Sequence, residues 1–85
     1  MIIVTLVFKK DLQTVLLKLD EHHTFLEQYR ANGFIVASGP TEDKKEGIII
    51  VKSDLVNEVE KIMEQDPFYL YEIADYKYKL FFDNS

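Results

Sequence analysis

Ile2-Ile3-Val4-Thr5-Leu6-Val7-Phe8 opens the chain with two interleaved sets, Ile2, Val4, Leu6 and Phe8 on one side and Ile3 and Val7 with Thr5 on the other. Successive side chains of a strand point to opposite faces, and β-branched residues suit that conformation. The segment therefore predicts a strand that is apolar on both faces. Such a strand belongs inside a sheet, and the rest of the chain must supply its neighbours and its cover.

Asp11 predicts the cap of a helix in which Leu12, Val15, Leu19, His22, Leu26 and Tyr29 recur at steps of three and four. That spacing gives one apolar stripe on one long helix, with Lys18, Asp20, Glu21, Glu27, Gln28 and Arg30 mostly outside it. Asn32-Gly33 ends the helix. Phe34 to Ser38 predicts a second strand, stopped by a Gly39-Pro40 turn, and the polar run 41–47 a loop. Ile48-Ile49-Ile50-Val51 predicts a third strand. Ser53 or Asp54 then caps a second helix with Leu55, Val59, Ile62 and Met63 on one face. Pro67 forbids its continuation, because a residue before proline is pushed out of the helical region. In the last stretch Ala74, Tyr76, Tyr78, Leu80 and Phe82 alternate with Asp75, Lys77 and Lys79, the pattern of a fourth strand.

Strand–helix–strand–strand–helix–strand with right-handed crossovers is an α+β, ferredoxin-like βαββαβ arrangement, with a four-stranded antiparallel sheet and two helices on one face. The length of 85 residues fits one domain, 1–85, with a small core. One face of the sheet stays bare, and strands one and three are apolar there too. The expected solution is a homodimer that buries sheet face against sheet face.

Composition removes whole classes of function. A net charge of −5 with scattered lysines and arginines opposes a phosphate backbone, so no nucleic acid is expected as a partner. No segment approaches the roughly 20 apolar residues of a bilayer span, so no membrane is expected. The basic pair Lys9-Lys10 follows the first apolar run, the reverse of a secretory signal, and a cytoplasmic location is expected. The chain has no cysteine, which excludes thiolate nucleophiles, disulfides and cysteine-held metals. His22 and His23 diverge on a helix, so no metal site is expected from them. Neither a glycine-rich phosphate loop nor a nucleophile elbow is present, and no cofactor is expected.

What remains is acid–base chemistry. His22 lies on the inward stripe while His23 is turned about 100° to the flank, and Asp66 stands where the second helix must stop. An imidazole oriented by a carboxylate is the minimum equipment for moving a proton on a small substrate. Each residue also has a plain structural role open to it, as a satisfied core histidine or as a turn residue accepting a local backbone N–H. Tyr69, Tyr71, Tyr76 and Tyr78 offer an aromatic rim for a planar ligand, or interface residues of a dimer.

His22-His23-Thr24-Phe25-Leu26, Gly33, Ala37-Ser38-Gly39-Pro40, Gly47 before an apolar strand and Asp66-Pro67-Phe68, in this order, resemble the signature of the YciI-like (YCII-related) family of dimeric α/β-barrel proteins. The resemblance runs over nearly the whole chain. It implies a dimer, with a catalytic His/Asp pair that falls on His22, by its spacing to Gly33, and on Asp66. Of the motif residues, Ser38, Gly39, Pro40 and Phe68 are the expected substrate-binding set, with a plain turn at Gly39 and an ordinary edge serine at 38 as the structural alternatives. The implied reaction is cofactor-independent isomerisation or elimination on a small organic acid, lactone or halogenated aromatic catabolite. The alternative is a non-enzymatic dimer that binds or senses a small molecule. An enzyme needs His22 and Asp66 in contact at a cleft; a carrier needs only the cleft.

Overall fold

The doubly apolar opening segment is an interior strand, hydrogen-bonded on both edges to antiparallel neighbours. In the computed structural model, which describes residues 1–84, the strands are β1 (Ile2–Phe8), β2 (Ile35–Pro40), β3 (Glu46–Val51) and β4 (Ala74–Leu80). They form one antiparallel sheet in the order β2-β3-β1-β4. The helices are α1 (Leu12–Leu17), α2 (Leu19–Ala31), α3 (Val56–Met63) and the single turn α4 (Pro67–Leu70). This is the ferredoxin-like arrangement expected from the element order.

One face of the sheet carries the core. Ile2, Val4 and Leu6 of β1 and Ile49 and Val51 of β3 are buried against Val15, Phe25 and Leu26 of α1 and α2. Val59, Met63 and Phe68 close the other half of the same cluster. Strand periodicity then sends Ile3, Val7, Ile48 and Ile50 to the opposite face, where they are only half-buried. Ile3 pairs with Ile50 and Thr5 with Ile48, so these side chains form one contiguous strip, bordered by exposed Lys77 and Lys79 of β4.

Several details differ from the sequence reading, among them a β3 that begins at Glu46 and the added turn α4. The long first helix is two helices, because Lys18 (φ −111°, ψ 5°) leaves the helical basin and its N–H falls back on the Val15 and Leu16 carbonyls. Val15-Leu16-Leu17 holds more apolar residues than one stripe accommodates, and Leu16 and Leu17 remain exposed. Gly39-Pro40 is not a turn: β2 runs through both, pairing Gly39 with Ile48 and Pro40 with Gly47. Because β2 is an edge strand, a proline without an N–H is tolerated there. The reversal falls instead at residues 41–45, where Asp43 Oδ1 accepts the Lys45 N–H at 2.9 Å and the Thr41 hydroxyl at 2.8 Å.

The second helix begins later than expected, with Leu55 at its N-cap; Ser53 Oγ accepts the Leu55 N–H, so its capping group is already used one turn early. β4 ends at Leu80, leaving Phe82 exposed beyond it. Gly33 terminates α2 at φ +82°, a left-handed backbone conformation that glycine adopts without a Cβ clash. Asp11 caps α1 as expected, accepting the Thr14 N–H at 2.8 Å. Among the described residues no helix is long and apolar enough to cross a membrane.

Candidate functional site

Pro67 does more than stop α3. After α3 ends at Met63, Asp66 takes an extended backbone (φ −66°, ψ 132°), and Pro67 becomes the first residue of α4, where its missing N–H has no partner to lose. Asp66 is thereby the N-cap of α4, and Oδ1 accepts the Phe68 N–H at 3.1 Å. This is the local role that aspartate before proline suggests. The same side chain is fully buried, and its other contacts are not local.

His22 sits on the first turn of α2 and is 7% exposed. Its Nδ1 lies 2.8 Å from Asp66 Oδ1 and 3.0 Å from Oδ2. The Phe68 ring stacks on the imidazole, with centroids 4.0 Å apart and planes within 3°. Tyr76, brought to the inner face of β4 by its register opposite Leu6, donates its hydroxyl to Asp66 Oδ2 at 2.6 Å. One carboxylate thus accepts from an imidazole, a phenol and a backbone amide.

That arrangement fixes the histidine tautomer. An ionised carboxylate only accepts hydrogen bonds, so the proton of the neutral ring is on Nδ1 and the lone pair is on Nε2. Among the described residues no buried side-chain nitrogen or oxygen lacks a partner, and Nε2 has no protein partner, so Nε2 has solvent access. Burial raises the Tyr76 phenol far above its ordinary pKa, and the Asp66 carboxylate raises it further, so Tyr76 stays a protonated donor.

His22, with Nε2 as its solvent-accessible nitrogen, lines a cleft of about 590 Å³ between the first two helices and the β2–β3 end of the sheet, a volume that suits a small ligand. Its walls are apolar at Leu6, Leu19, Leu26, Ile49 and Phe68. Ser38, Gly39 and Pro40 line it from β2, so with Phe68 all four expected substrate-binding residues border one space with His22. Asp66 does not reach the wall; it lies behind His22. His23 is exposed on the rim of the same cleft, its ring centroid 5.8 Å from that of His22, and has no contact with Asp66.

The tyrosines are placed otherwise than an aromatic rim requires. None of Tyr69, Tyr71, Tyr76 and Tyr78 lines the His22 cleft. Tyr69, Tyr76 and Tyr78 border a second cavity of about 660 Å³ on the β4 side, together with Glu60, Glu64 and Glu72. Tyr71 packs under Lys18, whose Nζ lies 4.0 Å from the ring centroid. For Tyr76 and Tyr78 the cause is topological: β4 is the sheet edge opposite β2, the strand that lines the cleft.

Two contributors escape a reading by motif. Tyr76 looks like any alternate residue of a last strand, and only its register against Leu6 brings it to Asp66. Arg30 falls off the apolar stripe, yet it lines the cleft and donates to Ser38 Oγ. The available signal for Arg30 is its spacing, eight residues after His22 with Leu26 midway.

A family model described as YCII-related domain matches residues 1–81. No curated protein shows significant similarity. Among solved structures, 5-chloro-2-hydroxyhydroquinone dehydrochlorinase from Burkholderia phenoliruptrix AC1100, in complex with 2,5-dihydroxybenzoquinone, superposes with a TM-score of 0.77. The two are 20% identical, and the match covers 95% of this chain and 93% of that one. At that identity the likeness establishes a common fold.

Proposed function

This chain belongs to the YCII-related family, and we propose that it is a cytoplasmic, cofactor-independent acid–base catalyst of isomerisation or elimination on a small organic acid, lactone or halogenated aromatic catabolite. The observation that carries this reading is the contact of His22 Nδ1 with Asp66 behind a cleft into which Nε2 opens. A carrier needs the cleft but not this contact.

In an elimination, Nε2 takes a proton from an acidic C–H or O–H of the bound molecule. The bonding pair becomes a new π bond, and the leaving group departs as an anion with the electrons of its own bond. Asp66 stabilises the imidazolium that forms, and the ring returns its proton to water. In an isomerisation the same proton returns to a different atom of the substrate. One positioned acid–base group contributes about 10²–10⁴-fold. The structural neighbour dehydrochlorinates a hydroxyhydroquinone, a chemistry of this type, and this supports a substrate among hydroxylated or halogenated rings.

The test is to incubate the protein with 5-chloro-2-hydroxyhydroquinone and with unsaturated lactones in D₂O, following chloride release and deuterium incorporation. Enzyme-dependent chloride release or exchange is expected. Binding without either would replace the catalyst by a carrier.

We further propose that the working unit is a homodimer formed through the bare sheet face. Ile3, Val7, Ile48 and Ile50 make an apolar strip there, and burying it against a second copy removes it from water. Sedimentation at micromolar concentration is expected to give twice the chain mass. Ile50→Lys, at the centre of the strip opposite Ile3, is expected to sediment as a folded monomer. A monomeric wild type would end the dimer reading.

A further inference from the structure

Resting on the acid–base reading of the cleft, we propose that Arg30, held by Ser38, is the anchor for an anionic group of the substrate, so that the site takes a ring-sized carboxylate, phenolate or enolate with its anionic end at Arg30 and its reacting atom at His22. The first observation is charge. The chain has 15 acidic and 10 basic residues, yet among the described residues no carboxylate lines this cleft. Its ionisable wall residues are Lys10, Arg30 and Lys44 with the two histidines. Segregation of cations in an acidic protein focuses a positive potential on one cavity and favours anions there.

The second observation is fixation. Lys10 and Lys44 are exposed side chains, and solvent screens them. Arg30 is exposed as well, but unlike the two lysines it is tethered, its Nη2 donating to Ser38 Oγ at the β2 wall. Its other contact, Nε to Glu27 Oε2 at 3.6 Å, is a solvent-exposed pair one turn back on the helix and contributes little. The guanidinium keeps further N–H groups for a ligand and presents them in a rigid fork that matches a carboxylate.

The third observation is length. His22, Leu26 and Arg30 line the cleft from one helix, at positions i, i+4 and i+8. At 1.5 Å per residue their outer Cα atoms are about 12 Å apart along the axis. A substituted ring together with a hydrogen bond of about 3 Å at each end spans a distance of this order. Leu26 between them, with Leu19 and Ile49 nearby, offers such a ring an apolar wall. The three parts recognise an anion, a flat apolar body and a labile proton in that order.

Titration of the full-length protein with 4-chlorobenzoate and with neutral 4-chlorobenzamide, followed by amide NMR shifts, tests the anchor without relying on turnover. Wild type is expected to bind the carboxylate at least about tenfold more tightly than the amide, since hydrogen bonds to charged groups are the strong ones. Arg30→Gln is expected to weaken the carboxylate about tenfold or more and to leave the amide within about twofold. Ser38→Ala is expected to weaken the carboxylate by a few-fold, and His22→Asn to leave it within about twofold. The anchor is overturned if Arg30→Gln binds the carboxylate as wild type does, if Lys10→Gln or Lys44→Gln takes its place, or if no carboxylate binds at millimolar concentration. Failure of the turnover test with this binding pattern intact would remove the proposed reaction and leave the anchor standing.

Discussion

His22→Asn is expected to leave a folded protein whose turnover on an accepted substrate falls by about 10²–10⁴-fold, with little change in substrate binding. Asparagine keeps a donor near the position of Nδ1, so Asp66 retains a partner, and it is small enough for the space beside Phe68. What disappears is the lone pair on Nε2 that faces the cleft. His23→Gln is the matched control: His23 borders the same space but makes no contact with Asp66, so its loss is expected to change turnover by less than about threefold. Steady-state kinetics on both variants, with circular dichroism and sedimentation as checks of fold, decide the matter. A His22→Asn enzyme within tenfold of wild type would mean that the imidazole is a packing residue.

The fold was legible because its signals are local. The doubly apolar run at residues 2–8, the spacing of Leu19, His22 and Leu26, and the alternation after Ala74 each state a periodicity that tertiary structure does not override. The errors lie where one residue type serves two ends. Gly39-Pro40 carries the composition of a turn, but an edge strand accepts it as well. Lys18 has no feature of a helix breaker, and nothing in its local sequence marks the break there.

The candidate site was legible in a different way. Spacing along α2 separates inward His22 from flanking His23, and Pro67 puts Asp66 at a helix terminus. No spacing places residues 44 positions apart beside each other; that pairing depends on the family resemblance and on the topology. Tyr76 and Arg30 depend wholly on register, one across β1 and β4, the other between α2 and β2. Side chains recruited across elements leave no periodic trace, so the acid–base pair was accessible to sequence reasoning while its supports were not.

Asp66→Ala is expected to destabilise the protein by about 3–5 kcal/mol in urea unfolding, a large part of the total stability of a chain this size. The substitution strands three donors at once: the His22 Nδ1–H, the Tyr76 hydroxyl and the Phe68 amide, all turned toward a fully buried carboxylate. Each unsatisfied buried donor costs on the order of 1–3 kcal/mol, and partial relaxation of the tyrosine keeps the total below the sum. Tyr76→Phe removes only one of the three bonds and is expected to cost about 1 kcal/mol. Asp66→Asn separates structure from chemistry. Its amide oxygen still accepts the Phe68 N–H, and its NH₂ group donates to a His22 ring that has moved its proton from Nδ1 to Nε2. Stability then falls by less than in Asp66→Ala, yet the nitrogen facing the cleft is now a donor, so turnover is expected to fall about as far as in His22→Asn. Nitrogen-15 shifts of the imidazole report the reversal of tautomer directly. If Asp66→Asn keeps full activity, or if Asp66→Ala unfolds within about 1 kcal/mol of wild type, the carboxylate is an ordinary helix cap and the imidazole does not depend on it.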